Sequence, residues 1–316
     1  MKEPRIFENY TAEIHEINSE LLESRGVKLS ILREDLSHSG FGGNKLRKLK
    51  YNVLKAEQKG LDTLLSFGGV WSNHIYALAA LSKELGFKSI GIIRGEDPPG
   101  STDTLDFARS CGMEIQFVSR GEYREKNEDF FKSWLREIHG SFHFIPEGGS
   151  NYLGVNGCME ILGKHSRYFD VITSSCGTGA TLAGLVLSMG PHQKAIGFSA
   201  VGEGQHLKKE ILQHISWTLG NSDSALDFEN HFRIEDKYDF GGFARTNDEL
   251  IDFIRQFKNE HGIVLDPIYT GKMMFGLFDL IDKGRFVPGT RILAVHTGGL
   301  QGVRGIERRL GHPIFD

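Results

Sequence analysis

The chain has little to cross-link it and no segment able to cross a membrane as a helix. Its 316 residues include three cysteines, Cys111, Cys158 and Cys176. They are far apart and odd in number, so they cannot form a full disulfide framework, and they show no CxxC or Cys/His spacing suited to zinc. No HExxH or similar pair occurs among the 13 histidines, so no metal is expected. No apolar run reaches the roughly 18 residues of a membrane helix. The segment MKEPRIFENYTAEIHEIN lacks the basic-then-apolar pattern of a secretory signal. A reducing, cytoplasmic setting without a membrane partner is the expectation. Excess positive charge is missing too. The formal net charge is −4, which argues against a nucleic-acid partner, because phosphate binding needs a concentrated basic face. A small anion held at a local basic site stays compatible with it.

Glycine, by contrast, is plentiful, and it stands where periodic segments end. TLLSFGG (63–69) is a short apolar run closed by glycines. SNHIYALAALSKELG (72–86) has apolar residues at helical spacing and stops at Gly86. KSIGIIRG (88–95) reads as the next strand, EDPPG as a turn, and Ser101 as the N-cap of STDTLDFARSCG. EIQFVSR (114–120), a helix over 123–140 and a fourth strand over 141–149 complete a βαβαβαβ rhythm. A second unit starts near residue 155. DVITSSC (170–176), KAIGFSAVG (194–202) and TRILAVHTGG (290–299) are its strands, and 247–262 and 270–284 are helices. The pattern predicts an α/β fold: two open, twisted parallel-sheet domains with helices on both faces and a ligand in the cleft between them. Ligands of such sheets sit at the carboxyl ends of strands. Three strands here run into glycines: SFGGVWSN, SSCGTGAT and VHTGG.

In SSCGTGATLAG (174–184) a strand, a glycine turn and a helix start make an anion site, with Thr178 and Thr181 as added donors. It is not a Walker loop, and Leu182 stands where a dinucleotide fingerprint needs glycine. One phosphate is the better fit; a tight turn that binds nothing is the plain alternative. In GGVWSNH (68–74), Ser72 or Asn73 can cap the following helix. Asn73 can also hold a phenolic or carboxylate oxygen, and Ser72 a substrate carboxylate. In FGGNKLRKLK (41–50), a helix over 44–56 gives a core stripe of Leu46, Leu49 and Val53. Lys45 and Lys48 then lie one turn apart on an adjoining face. Two ammoniums so close repel, and the less solvated one loses its proton more readily and becomes a nucleophile. A solvated basic face is the plain reading. A monophosphate, an aldehyde for lysine and a ring oxygen for asparagine together describe pyridoxal 5′-phosphate (PLP).

The sequence also resembles, over nearly its whole length, the PLP-dependent enzymes of the tryptophan-synthase β-like fold. Within them it is similar to the 1-aminocyclopropane-1-carboxylate (ACC) deaminase and D-cysteine desulfhydrase family. The motifs that carry this are REDLSHSGFGGNKLRKLKY, SFGGVWSNH, IPEGGSNYLG, CGTGAT, LDPIYTGKMMFG and HTGG. The resemblance implies that Lys45 carries PLP, that Asn73 meets the ring oxygen, and that Gly177, Thr178, Gly179, Ala180 and Thr181 cradle the phosphate. Ser72 would face the substrate carboxylate, Tyr269 would act as an acid/base or positioning group, and Lys48 would be a cationic neighbour. The glycines before Lys45 would let backbone approach the cofactor. Residues 1–50 plus 155–316 would form the PLP-binding domain and 51–154 the smaller one. The enzyme would be a homodimer acting on a small amino acid.

Deaminases of this family typically place Glu and Leu where this chain has Thr270 and Thr297, the pair that resembles the desulfhydrases. A carboxylate beside the pyridine nitrogen keeps it protonated and makes the ring a strong electron sink. Opening a cyclopropane needs that sink, whereas eliminated sulfide carries its electrons away on sulfur. The expected reaction is therefore α,β-elimination from D-cysteine to pyruvate, sulfide and ammonia, with ACC deamination to 2-oxobutyrate as the alternative. Phe243 and Trp71 depart from residues common in the family, so they bear on the substrate and leave the cofactor untouched. A binding protein that kept the fold would need the glycines but not Lys45, and a nicotinamide-linked dehydrogenase would need the fingerprint that is absent.

Overall fold

The computed structural model describes residues 4–7, 12–98 and 100–315. Its strands are β1 (Ile14–Ile17), β2 (Lys28–Leu32), β3 (Thr63–Gly68), β4 (Lys88–Arg94), β5 (Glu114–Val118), β6 (His143–Phe144), β7 (Val171–Cys176), β8 (Lys194–Ser199), β9 (Phe232–Glu235) and β10 (Arg291–Val295). They form two sheets. One has the order β1-β2-β10-β7-β8-β9, the other β5-β4-β3-β6. Every pairing is parallel except β1 with β2. Helices flank both sheets, so the central strands are buried on both faces and read as continuous apolar runs, as in TLLSFG and RILAV. The expected α/β class is the observed one, with an antiparallel edge strand that the periodicity did not reveal.

Several elements differ from the sequence reading. The helix expected over 123–140 is two, Arg120–Arg124 and Asp129–His139. A capping box between Ser119 and Glu122 starts the first one early. The strand expected over 141–149 pairs only at His143 and Phe144. Thr102, not Ser101, caps the Asp103–Ser110 helix. Thr102 has the extended backbone a cap requires, and its Oγ1 accepts from Leu105 N at 3.2 Å and donates to the Val70 carbonyl at 2.6 Å. Pro99, in the expected EDPPG turn, lies outside the described residues.

The helix Asn44–Gln58 carries the lysine cluster, and its stripe of Leu46, Leu49 and Val53 is buried as expected. Its backbone is placed by glycines on two sides. Gly43, at φ 112°, lies against the Thr297 carbonyl, which accepts from Asn44 N at 3.1 Å. Gly42 lies against the backbone of Asp35 and His38. These two glycines thus admit neighbouring backbone, and neither lines the cavity described below. On its other side the helix packs against the helix Tyr152–Met159, where a methyl group on Gly157 would overlap the Arg47 carbonyl. Neither backbone can move away without disturbing the core. The substitution Gly157→Ala is therefore expected to cost about 1–3 kcal/mol through overpacking. Denaturant unfolding should show a lowered midpoint at unchanged slope; an unchanged midpoint would mean the helices separate freely.

Candidate active site

The carboxyl ends of β3, β7 and β10 open onto one cavity of about 900 Å³. Residues 69–74 follow β3, residues 177–182 follow β7, and residues 297–299 follow β10. Lys45 and Lys48 reach it from the first turns of the Asn44–Gln58 helix, and Tyr269 from just before the helix Thr270–Asp282.

The four cations of FGGNKLRKLK are not a solvated face. Arg47, Lys48 and Lys50 are all buried. Arg47 donates from Nε and Nη2 to the Glu34 carboxylate at 3.2 and 3.1 Å. Lys50 donates to Glu160 at 2.8 Å, and the Tyr51 hydroxyl bonds the same carboxylate. Lys45 and Lys48 have no carboxylate at ion-pair distance among the described residues, and both face the cavity. Burial, and after it the charge of Lys48, pushes the Lys45 amine down to about 7. Burial also lowers Lys48. The repulsion inferred from spacing is present, but desolvation is the larger cause. His74, buried beside them, is held well below the usual imidazole range by burial and by the two lysines. Its Nε2 bonds Ser66 Oγ at 2.8 Å, and Ser66 donates onward to the Ile145 carbonyl at 2.8 Å. The proton of the neutral ring is therefore on Nε2, leaving Nδ1 bare.

Beside the first turn of the lysine helix, Gly177, Thr178, Gly179 and Thr181 line the cavity where β7 meets the helix Ala180–Ser188. Gly179 has φ 78°, a left-handed conformation that glycine adopts without strain. The first N–H groups of that helix have no partner in the helix itself. Hydroxyls are held around it. Thr178 Oγ1 bonds Ser150 Oγ, Thr181 Oγ1 accepts from Asn44 Nδ2 at 2.8 Å, and Thr297 Oγ1 lies 3.3 Å from Ser175 Oγ. Ser72 lines the cavity and also caps the helix Asn73–Leu85, accepting from Ile75 N at 3.3 Å. Its own O–H is left to donate. Asn73 Oδ1 is buried with no partner. Tyr269 has its phenol raised by burial, with Asp266 and Glu147 adding to the effect.

Two expected residues do not line the cavity. Ala180 is wholly buried, so only its backbone can take part in an anion cradle. Thr270 is also wholly buried, and its hydroxyl donates to Asp266 Oδ1 at 2.7 Å. It is part of the turn that starts its helix: Asp266 accepts from the amides of Ile268, Tyr269 and Thr270 at 2.8–2.9 Å. Of the threonine pair, only Thr297 reaches the cavity. Asn44, His74, Glu147, Ser175 and Arg94 line it without having been singled out as site residues. Asn44 adjoins Lys45, Ser175 is the last residue but one of β7 and Glu147 lies within IPEGGSNYLG, so position signalled these three; nothing in the local pattern signalled Arg94.

The family model described as "Pyridoxal-phosphate dependent enzyme" matches residues 13–298. The chain belongs to this family. A putative ACC deaminase of Pyrococcus horikoshii is 31% identical over 284 residues, covering 88% of this chain and 86% of that protein. The bifunctional D-cysteine desulfhydrase/ACC deaminase, mitochondrial, of Arabidopsis thaliana is 30% identical, covering 88% of this chain and 74% of its own length. The crystal structure of an ACC deaminase homologue superposes with a TM-score of 0.80 at 27% identity, covering 95% of this chain and 93% of that one.

The residues of this PLP-dependent enzyme fit the cofactor. A readily deprotonated Lys45, an unpaired Lys48 and a glycine cradle at a helix start surround one space, and Asn73 lines it with an amide that can donate to a ring oxygen. No helix among the described residues is long and apolar enough to cross a membrane.

In cofactor-free protein, Lys45 should react with an amine-selective reagent with a midpoint at about 7. Below that pH the ammonium dominates and labelling falls. Removing the neighbouring charge with Lys48→Met should move the midpoint upward. Peptide mapping across a pH series reads both; a Lys45 midpoint near the ordinary lysine value, about 10.4, would contradict the burial argument.

Proposed function

We propose that the enzyme catalyses α,β-elimination from D-cysteine or a similar small D-amino acid, giving pyruvate, sulfide and ammonia. In this reading Lys45 holds PLP, and Gly177–Thr181 together with Lys48 accept its phosphate. Asn73 meets the ring oxygen, and residues 1–50 with 155–316 form the cofactor-binding domain. The bound cofactor supplies an electron sink for the carbanion that forms at the substrate's α-carbon. The chain's own residues do the rest. The Ser72 hydroxyl and the N-terminus of the Asn73–Leu85 helix bind and orient the α-carboxylate. Lys45 Nζ, with a lowered pKa, takes the α-proton near neutral pH. Tyr269, whose phenol is kept protonated, donates to the departing sulfur. A reducing cytoplasm suits the three free cysteines, and a homodimer belongs to the same reading.

One observation carries the choice of reaction. The hydroxyls of Thr297 and Ser175 lie 3.3 Å apart, and both residues line the cavity. Glu147 is the only carboxylate among the described lining residues, and it lies 3.4 Å from the Lys126 ammonium. With a neutral hydroxyl as its partner, the cofactor ring is a weaker sink, which suffices when sulfur takes the electrons. The second reading, ACC deamination to 2-oxobutyrate and ammonia, is favoured by the names of the relatives. PLP-loaded protein offered D-cysteine and ACC separately decides between them. Pyruvate and sulfide from D-cysteine, without 2-oxobutyrate from ACC, is the expected result; turnover of ACC would give the deaminase reading precedence. Lys45→Ala should lose about 10²–10⁴-fold in rate or more together with the visible cofactor band, and retention of both would end either reading.

A further inference from the structure

The mouth of the cavity is cationic beyond what the cofactor and an α-carboxylate require. Arg94 at the end of β4, and Arg308 and Arg309 on the C-terminal helix Gln301–Leu310, all line it. None of the three has a carboxylate partner among the described residues. Neighbouring arginines do: Arg304 pairs with Asp103 and Arg109 with Asp97. Arg308 Nη1 donates to the Ser101 carbonyl at 2.7 Å. Arg309 donates to the Ala244 carbonyl at 2.6 Å and to Thr246 Oγ1 at 3.1 Å. Arg94 lies 5.6 Å from the centre of the Tyr123 ring. These neutral contacts fix the guanidiniums in place, leave donors free on each, and cancel none of their charge. The cavity, about 900 Å³, is at the upper end of the range for drug-sized ligands, roughly 300–1,000 Å³. A three-carbon amino acid does not fill its outer part.

We infer that the outer cavity, through Arg94, Arg308 and Arg309, is a subsite for a second anionic group, and that the preferred substrate is a small amino acid whose β-substituent ends in such a group. Arginine forks match a carboxylate, sulfonate or phosphate bidentately. This rests on the elimination reading. Its chemistry is unchanged: Lys45 Nζ takes the α-proton, the Cβ–X bond breaks with its electron pair on X, and X leaves with its anionic tail. Hydrolysis of the remaining enamine gives pyruvate and ammonia.

The test isolates charge at constant shape. S-carboxymethylcysteine and S-carbamoylmethylcysteine, each as D and L enantiomers, are offered to PLP-loaded enzyme beside D-cysteine, with pyruvate as readout. The carboxylate form is expected to exceed the amide form at least tenfold in kcat/KM. That ratio should fall toward one in Arg94→Gln and Arg308→Gln and stay largely intact in Arg308→Lys. Titration of the cofactor absorbance and of tryptophan fluorescence with the same pair measures the preference in affinity even without turnover. Equal kcat/KM and equal affinity for the two thioethers, or a ratio that the variants leave untouched, would overturn the subsite. D-cysteine turnover with no preference between the thioethers would overturn it while the elimination reading stands. A protein that forms no cofactor band and turns over nothing would defeat the elimination reading itself, while a carboxylate preference in the fluorescence titration would still uphold the subsite.

Discussion

The site depends on an uneven distribution of counter-charge along one buried helix. Four cations lie within six residues, and two of them have carboxylates. Glu34 neutralises Arg47, and Glu160 serves Lys50. Lys45 and Lys48 are left with low-dielectric surroundings, each other, and a cavity. Burying unpaired charge is expensive, and the group with a proton to lose responds by losing it. Packing thus makes the Lys45 amine easier to deprotonate. That packing in turn requires glycine at residue 157, where two helix backbones meet.

The same economy applies where helices start beside the cavity. Ser72 caps a helix through its oxygen lone pair, and that bond leaves its own proton unused, so the cap does not preclude a second contact. The helix starts at Asn73 and Ala180 turn unpartnered amides toward the space between the sheets. A polar group left bare inside a protein is costly unless something completes it. Asn73 Oδ1 and the bare nitrogen of His74 are two such groups at one place. Both residues line the same cavity as the glycine turn of residues 177–179.

The outer wall follows a different logic. The loop carrying Phe243 includes Phe240 and Ala244 at positive φ, a conformation unfavourable for residues with side chains. It is held there by Lys272, buried, which donates to the carbonyls of Asp239 and Gly242 at 2.7 and 2.9 Å, and by Arg309 from the C-terminal helix. Phe243 consequently stands over Tyr269 with ring centres 6.1 Å apart. Trp71 packs against Gly305 of the same C-terminal helix. Phe243 and Trp71 therefore both line the cavity beside the C-terminal helix.

From the sequence alone came the α/β rhythm, the glycine-ended strands, the helix with Leu46, Leu49 and Val53 inward, and the grouping of Lys45, Ser72, Asn73, Tyr269, Gly177, Thr178, Gly179 and Thr181, which line one cavity. Periodicity and strand-end position are local properties, and a parallel sheet brings its strand ends together by topology. Tertiary structure decided which cations are neutralised, because the carboxylates that pair with Arg47 and Lys50 stand 13 and 110 residues away. It decided that Thr270 bonds Asp266 while Thr297 meets the cavity. It also gathered Glu147, Arg94 and Arg308 at one opening from three separate segments. Pairing and desolvation depend on which distant groups arrive beside a side chain, and no local spacing encodes that.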